Sequence, residues 1–379
     1  MAYKFKHPIR LIELFAGYGS QALALKYLNI PMEHWFVCEF DKYAMTSYNE
    51  IHGTNFEVSD IKDIKAKDLN IINTDEYKYC LTYSFPCTDL SVAGKMKGMQ
   101  RESGTSSSLL WEVERLLKEC DELPQYLLME NVPQVISNDN LPLFKEWTTF
   151  LSKLGYDNYY KLLNAKDFGV AQNRNRCFMV SILKSEHKDF KFPKIKPLTK
   201  KMKDYLEDVV DEKYYINNDK AKALIEKLII DGELDGNKTT CDLSLNSPES
   251  IDVANCIKAR YDAGISNFKS DGSGVVETIS LSNQGADYDG KIDESGQVSP
   301  TLTSCGMDGI VRIESQYRIR KLTPKECFRL MGVRDEDFHK LSASNSQLYK
   351  QAGNSIVVDV LMAIFENMFI KDCKINKLF

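Results

Sequence analysis

The chain has 379 residues, of which 43% are hydrophobic and 27% charged, with a net charge of −5. This length favours two domains, and the composition excludes a disordered or fibrous protein. The longest apolar run, around residues 357–364, is interrupted by Asp359 and is too short to span a bilayer. The N-terminal residues lack the apolar core of a signal peptide, so we expect a cytoplasmic protein.

The first half of the chain alternates short apolar runs with segments of helical spacing. Strands are predicted at residues 11–15, 35–38, 79–83, 126–129 and 177–182, and helices at 21–28 and 109–117. Strands separated by helices predict a parallel sheet covered by helices, which is an α/β fold. Glu39, Cys87 and Glu130 each lie at or just after the end of a predicted strand, so we expect them together at the carboxyl edge of the sheet.

A second, irregular domain is predicted after residue 183. The chain there is first lysine-rich and then rich in Gly, Ser, Asn and Asp up to about residue 315. An amphipathic helix at 356–370 is expected to return to the first domain. The predicted division is therefore 1–183 with 340–379 for the first domain and 184–339 for the second.

Ten cysteines are scattered along the chain without a CxxC pair. A chain of this size folds without disulfides and zinc ligands come in close pairs, so we expect reduced cysteines and no metal site. The negative net charge does not indicate a nucleic-acid partner, although residues 188–203 and 312–329 are locally basic. On charge alone, these two stretches are interpreted as solvated surface.

A glycine-rich turn follows the first predicted strand. Gly17 and Gly19 in FAGYG (residues 15–19) allow a ligand to approach the backbone closely, although an ordinary βα turn would look the same. Glu39, at the end of the next strand, is suited to bind a ribose diol. Up to this point the pattern fits either a nicotinamide cofactor or S-adenosylmethionine.

The loop after the third predicted strand presents a cysteine. Pro86 fixes the backbone before Cys87, and the next strand ends at Glu130. A free thiol has a pKa of about 8.5, so a nearby positive charge or a polarised substrate is needed to make the thiolate useful. Arg174 and Arg176, in QNRNR (residues 172–176), are candidates to supply the charge.

With these motifs in this order, the chain resembles the cytosine-5 DNA methyltransferases of bacteria and phages over nearly its whole length. Each motif is modest alone, but the ordered set is specific to that family. The resemblance is carried by FAGYG, Glu39, Asp60-Ile61, Phe85-Pro86-Cys87, Glu130-Asn131-Val132, QNRNR, Pro300-Thr301-Leu302, Arg320-Lys321-Leu322-Thr323-Pro324 and Gln351-Ala352-Gly353-Asn354-Ser355. It implies a Rossmann-like methyltransferase sheet with a second, smaller and irregular target-recognition domain.

The resemblance also implies a mechanism and a set of site residues. Cys87 would attack carbon 6 of a cytosine flipped out of double-stranded DNA, while Glu130 holds its N3 and amine and Arg174 its O2. Arg176 completes the catalytic set, and S-adenosylmethionine supplies the methyl group. The implied cofactor pocket consists of Phe15, Ala16, Gly17, Gly19, Glu39, Phe40, Asp60, Ile61, Pro86, Asn354 and Ser355. The implied DNA contacts are Ser91, Gln172, Thr301, Leu302, Arg320 and Lys321.

In such an enzyme we expect a monomer that serves restriction–modification or phage or host DNA modification, without physical need of a cognate endonuclease. Thr88 replaces the family's usual Gln after the catalytic Cys, and Ser84 and Ser59 each replace a Gly. None of these changes removes a reacting group. Residues 303–311 differ from the pattern of the CpG-specific mollicute enzymes, so the resemblance implies no CpG specificity.

Four other interpretations compete with this one. A tRNA methyltransferase of the same catalytic family is disfavoured by the long variable insert at residues 183–315, and a catalytically silent DNA-binding protein by the intact set of Cys87, Glu130 and Arg174. An oxidoreductase would retain NAD rather than S-adenosylmethionine. An adenine methyltransferase is disfavoured because the chain has no Asn/Asp-Pro-Pro-aromatic motif.

Overall fold

The structure is a computed structural model that describes residues 3, 5–87, 90, 98–101, 104–234, 236–261, 264–278 and 317–370. The chain folds into two compact units. The larger unit comprises Met1–Asp208, Asp252–Ala263 and Thr323–Phe379, and the smaller unit comprises Val209–Ile251 and Gly264–Leu322.

A six-stranded sheet forms the centre of the larger unit, in the order β2-β1-β3-β4-β6-β5. Its strands are β1 (Ile9–Leu14), β2 (Met32–Cys38), β3 (Tyr79–Tyr83), β4 (Tyr126–Asn131), β5 (Tyr156–Asn164) and β6 (Asn175–Leu183). β1 to β4 run parallel, as predicted. β6 instead runs antiparallel to both β4 and β5, because residues 165–174 join β5 to β6 without the long crossover that parallel neighbours require.

Helices surround this sheet, and the predicted ones at 21–28, 109–117 and 356–370 are confirmed. The helices in chain order are α1 (Ser20–Tyr27), α2 (Lys42–His52), α3 (Leu110–Glu119), α4 (Leu141–Lys153), α5 (Asp219–Ile230), α6 (Pro324–Arg329), α7 (Asp335–Phe338), α8 (Asn345–Asn354) and α9 (Val358–Phe369). α5 belongs to the smaller unit, and the others belong to the larger one. The sheet with its helices is an α/β fold, as the sequence predicted.

The C-terminal helix α9 is part of the core of the larger unit. Most of its apolar residues are buried, Leu361, Ile364 and Phe365 completely, and it packs against α1. Among the described residues, Asn345–Phe369 is the one stretch long and apolar enough to cross a membrane, but 67% of its most apolar window is buried inside the protein. The stretch is also interrupted between α8 and α9, so its apolar character reflects core packing.

The smaller unit is more regular than the sequence suggested. It contains an antiparallel sheet of β7 (Tyr215–Ile216), β8 (Lys238–Asp242), β9 (Ser273–Thr278) and β10 (Tyr317–Lys321), in the order β7-β10-β9-β8. Leu224 and Leu228 of α5 join Val276 and Ile319 of the sheet in one apolar cluster. A separate small core therefore stabilises this unit.

Residues 252–261, which we call the strap, return from within the second half of the chain to the larger unit. The backbone N–H of Ala254 donates to Ala171 (2.8 Å), and that of Asn173 donates back to Ala254 (2.8 Å). The rings of Tyr261 and Tyr349 stack with their centroids 5.8 Å apart. These contacts hold the strap in the larger unit. Residues 184–208 and 323–339 also belong to the larger unit, whereas the sequence pattern placed all three segments in the second domain.

Candidate active site

The glycine-rich turn joins the end of β1 to α1. Phe15, Gly17 and Gly19 all have positive φ angles, of 59°, 58° and 82°. A Cβ atom added to Gly19 would lie 2.3 Å from Nε2 of His52, so this glycine is needed for packing against α2. A Cβ atom added to Gly17 would meet no described atom within 4 Å. The turn therefore leaves open space beside Gly17, where a ligand can approach the backbone.

Glu39 ties this turn to the start of α2. Its carboxylate accepts hydrogen bonds from the backbone N–H groups of Gly17 (2.8 Å) and Asp41 (2.7 Å). Burial raises the pKa of Glu39, and these two hydrogen bonds oppose the rise. The carboxylate that the sequence assigned to the ribose thus lies directly against the glycine-rich turn.

Hydrogen bonds connect the end of β2 to the glycine-rich turn and to the segment around Asp60. The backbone N–H of Ala16 donates to Cys38 (3.2 Å), and that of Ser59 donates to the carbonyl of Glu39 (3.0 Å). Phe40, next to Glu39, is 73% exposed. The Asp60 carboxylate accepts a hydrogen bond from the N–H of Lys62, and Ile61 is buried. The predicted cofactor residues of this part of the chain therefore belong to neighbouring loops at the carboxyl edge of β1 and β2.

Cys87 lies in the loop after β3, and two side chains fix the backbone just before it. The side-chain amide of Asn131 donates to the carbonyl of Phe85 (2.9 Å), and the hydroxyl of Ser107 donates to that of Pro86 (2.9 Å). Sequence reasoning missed Ser107, which precedes α3 and carries no motif signal. Both hydrogen bonds therefore hold the backbone that leads into Cys87.

The electrostatic neighbours of Cys87 are the other predicted catalytic residues. Burial raises the pKa of the Cys87 thiol, and the carboxylate of Glu130 raises it further. The guanidinium groups of Arg176 and Arg174 act in the opposite direction and favour the thiolate. The structure therefore brings Cys87, Glu130 and both arginines within electrostatic range of one another.

Glu130, in β4, is almost completely buried, and its nearest charged partner is Arg176. Nε of Arg176 lies 3.2 Å from Oε1 of Glu130. Burial raises the pKa of Glu130, whereas Arg176 and then Arg174 lower it. This balance suits a carboxyl group that can either accept a hydrogen bond or donate one.

Arg174 is also buried, but its guanidinium is committed to backbone carbonyls. It donates to Ile257 (2.8 Å), to Gly353 (2.9 Å) and to Ser355 (2.6 Å). The sequence assigned the O2 atom of the target base to Arg174, yet the ion pair with Glu130 is made by Arg176. Arg174 instead joins the strap to the junction between α8 and α9.

Residues 9–370 match the protein family described as C-5 cytosine-specific DNA methylase. The chain belongs to this family. It is 33% identical to the type II methyltransferase M2.ScrFI of Lactococcus lactis subsp. cremoris, over 95% of this chain and 99% of that one. It is 29% identical to the orphan methyltransferase M.SPBetaI of Bacillus phage SPbeta, over 95% and 97% of the two chains. The chain is thus a C-5 cytosine-specific DNA methyltransferase.

The fold of this methyltransferase is also that of solved enzymes. The Dnmt2 methyltransferase of S. pombe superposes with a TM-score of 0.60 at 20% identity, over 94% of this chain and 97% of that one. The methyltransferase EhMeth of Entamoeba histolytica gives a TM-score of 0.65 at 18% identity, over 96% and 98% of the two chains. At these identities the likeness concerns the fold alone.

The C-terminal part of the methyltransferase reaches the glycine-rich turn. The hydroxyl of Tyr18 donates to that of Ser355 (2.8 Å), which in turn donates to the carbonyl of Ala352 (3.0 Å). Asn354 is exposed, whereas Ser355 is buried. Residues about 340 positions apart in sequence therefore meet at one site, as the predicted return of the last helix requires.

Two of the predicted DNA contacts lie in the interior. Gln172 is fully buried, where its side chain donates to the carbonyl of Leu330 (2.7 Å) and accepts from the N–H of Ile257 (3.1 Å). Arg320 is also fully buried and donates to Glu277 (3.0 Å). These contacts correct our expectation, because a side chain that is bonded inside the protein does not face DNA.

Only one of the remaining predicted DNA contacts lies in the part of the chain that the structure describes. Lys321, in β10, is partly exposed. Ser91, Thr301 and Leu302 lie outside the described residues, as does Thr88.

Proposed function

We propose that this methyltransferase transfers a methyl group from S-adenosylmethionine to carbon 5 of a cytosine flipped out of double-stranded DNA, through a covalent adduct with Cys87. The observation that carries the proposal is the cluster at the sheet edge. Cys87, Glu130 and Arg176 interact there, and Arg174 joins that cluster to Ser355 beside the glycine-rich turn. A nucleophile, an acid and a cation in this arrangement suit attack on a polarised ring.

The residues around the turn fit the cofactor. The open space at Gly17 admits a ligand against the backbone, and the Glu39 carboxylate lies 2.8 Å from the Gly17 N–H, where it can bind ribose hydroxyls. The exposed ring of Phe40 offers a stacking surface for adenine, and Asp60 and Ile61 follow Ser59, whose N–H donates to the carbonyl of Glu39. When bound, S-adenosylmethionine supplies an electrophilic methyl group.

The cytosine is activated by the protein's own side chains. Cys87, as the thiolate, bonds to carbon 6 of the ring, which makes carbon 5 nucleophilic. Glu130 donates a hydrogen bond to N3 and accepts one from the amine, and its raised pKa favours the protonated form that this requires. Arg176, whose Nε already lies beside Glu130, binds O2 in the role that the sequence gave to Arg174. Once carbon 5 carries the methyl group, loss of its proton to solvent breaks the bond between carbon 6 and the sulfur, which restores the ring and the Cys87 thiolate.

The target base cannot reach this cluster while it is stacked in a duplex. Flipping it out costs a few kcal/mol, which contacts to the flanking DNA must offset. We assign these contacts to the smaller unit, as the target-recognition domain, with Lys321 and the neighbouring basic residues on phosphates. Since some relatives are orphan methyltransferases, we propose no obligatory endonuclease partner.

A mechanism-based trap tests this proposal. Duplex DNA that carries 5-fluorocytosine at the target, incubated with the protein and S-adenosylmethionine, should give a covalent complex, because fluorine cannot leave as a proton. Cys87→Ser should form no complex while it still binds the cofactor, and the buried Cys80→Ser serves as a thiol control. Methylation of ordinary DNA without a trapped complex would contradict the adduct, and transfer to tRNA but not DNA would contradict the substrate.

A further inference from the structure

Cys256, in the strap, lies against both arginines of the catalytic cluster. Its sulfur is 3.4 Å from Nη1 of Arg174 and 3.8 Å from Nη2 of Arg176, and both groups donate to it. Nothing in the motif pattern points to this cysteine, because it lies about 80 residues beyond the two arginines in sequence. The strap is what brings it to the larger unit.

The two arginines carry two positive charges, and Glu130 can offset at most one of them. Arg174 is a buried cation, Arg176 is a partly buried one, and the carboxyl group of Glu130 lies against Arg176. The other partners of Arg174 are neutral carbonyls. A buried cation without a counter-charge is costly, so a second anion stabilises the pair. Burial alone would raise the pKa of Cys256, but the two guanidinium groups outweigh it and hold the pKa below the ordinary thiol value.

Each side of the Arg176 guanidinium is held by a different group. Nε lies beside Glu130, Nη1 donates to the carbonyl of Asn175 (2.7 Å), and Nη2 donates to Cys256. If Glu130 turns to bind cytosine, the first of these contacts weakens. The contact with Cys256 then becomes the main charged restraint on Arg176.

We propose that Cys256 is a positioning residue whose anionic sulfur keeps Arg176 in place while Glu130 binds the target cytosine. This role rests on the proposed function of the cluster. The backbone around Cys256 is fixed independently of its side chain, since Asn173 donates to Ala254 and Ile257 donates to Gln172. Substitution of the thiol should therefore leave the strap folded.

Three substitutions separate charge from shape. Cys256→Ala should lower kcat by about tenfold or more, as expected when a catalytic group loses its position, with KM for S-adenosylmethionine unchanged. Cys256→Asp, which restores a negative charge, should recover most of kcat at neutral pH, whereas Cys256→Ser should recover little. The control is Cys120→Ser, because Cys120 is also partly buried but has acidic neighbours and a pKa raised by burial to about 11.

Alkylation tests the contact without methyl transfer. In a Cys87→Ser background, site-resolved labelling with iodoacetamide should give Cys256 a midpoint at lower pH than Cys120, and Arg176→Gln should raise that midpoint. The charged groups that face Cys256 are Arg174 and Arg176, with Glu130 beyond Arg176. A midpoint unchanged by Arg176→Gln, or an unchanged kcat in Cys256→Ala, would overturn the positioning role. If the wild-type protein transfers no methyl group, the proposed function fails, and the labelling result alone then decides whether Cys256 contacts Arg176.

Discussion

At the scale of single residues, Glu13 combines complete burial with a titratable group. It lies in β1, two residues before the glycine-rich turn, and accepts a hydrogen bond of 2.5 Å from the hydroxyl of Tyr48. Burial raises its pKa from 4.5 to about 7, and the hydrogen bond from Tyr48 limits the rise. The folded protein therefore retains a proton at pH values where the unfolded chain has lost it.

This difference predicts a pH-dependent contribution to stability. A carboxyl whose pKa is raised on folding contributes stability that is fully present below about pH 4.5 and is lost as pH rises through about 7, on the order of 3 kcal/mol. Glu13→Gln, which cannot ionise, should remove this loss, so its free energy of unfolding should decline less than that of the wild type between these pH values. Urea unfolding across this range measures it, with the exposed Glu57→Gln as control. Equal declines in Glu13→Gln and wild type would contradict the prediction.

The two arginines of QNRNR should respond differently to the same change. Arg174→Lys cannot reproduce the fork of hydrogen bonds to three carbonyls, so we expect the free energy of unfolding to fall by about 3 kcal/mol. Arg176→Lys should keep the stability within about 1 kcal/mol. It should nevertheless lower kcat about tenfold or more, because the geometry beside Glu130 is lost.

Chemical denaturation and a methyl-transfer assay on the two variants separate these effects. A stable Arg174→Lys together with an unstable Arg176→Lys would reverse our assignment of the structural and the catalytic arginine.

The sequence predicted which residue types gather at the site, but not which of them are buried. QNRNR stood out as a motif, yet the partners of Gln172 and Arg174 come from the strap and from residues 330–355. Arg320 was likewise placed on the surface because its carboxylate partner, Glu277, is 43 residues away. A polar residue reveals its burial only through such distant partners, and a local pattern does not contain them.

At the scale of elements, the parallel strands could be predicted because each contains a short apolar run. β5 was not predicted, because its middle residues are largely exposed and it carries Asp157, Asn158 and Lys161 among its tyrosines. The antiparallel direction of β6 follows from that missed strand. Apolar runs therefore identify the other strands of this sheet better than β5, whose sequence is mostly polar and aromatic.

The glycine-rich turn gives a prediction at this scale, because its glycines serve different purposes. Gly19→Ala would place a Cβ atom 2.3 Å from His52, so we expect a loss of about 2 kcal/mol or more in the free energy of unfolding. Gly17→Ala has space for its Cβ atom and should lose about 1 kcal/mol through its positive φ. It should nevertheless weaken S-adenosylmethionine binding, because the methyl group enters the proposed pocket.

Thermal unfolding and calorimetric titration of S-adenosylmethionine measure the two effects. Gly53→Ala is the matched control, with a φ of 67° and no described atom within 4 Å of the added Cβ atom. Unchanged cofactor affinity in Gly17→Ala would place the ligand elsewhere.

At the scale of the whole molecule, the sequence indicated two parts and the return of the last helix. It could not locate the boundaries, because the strap is a short segment without periodicity that is held in the larger unit through individual hydrogen bonds. The close approach of Gly353 to this segment has no sequence signature either. A Cβ atom at Gly353 would lie 2.2 Å from the backbone nitrogen of Ala259.

Because Gly353 lies so close to the strap, a substitution that normally stabilises a helix should here destabilise the protein. Alanine in place of glycine inside a helix normally adds about 1 kcal/mol of stability. Gly353→Ala should instead lower the free energy of unfolding by about 2 kcal/mol, because the strap must move away from α8. Denaturant unfolding measures this, with the exposed Asn354→Ala as control. A Gly353→Ala variant with a higher free energy of unfolding than the wild type would contradict this prediction.

The hydrogen bonds from Arg174 to Gly353 and Ser355 link positions separated by 179 and 181 residues. On the ribosome, the arginine is made long before either acceptor exists. A nascent chain that stops before Gly353 lacks two of the carbonyls that hold this cation, so the reactive centre cannot assemble in full until residues 353–355 have been made. Prematurely terminated products would thus be inert toward the genome.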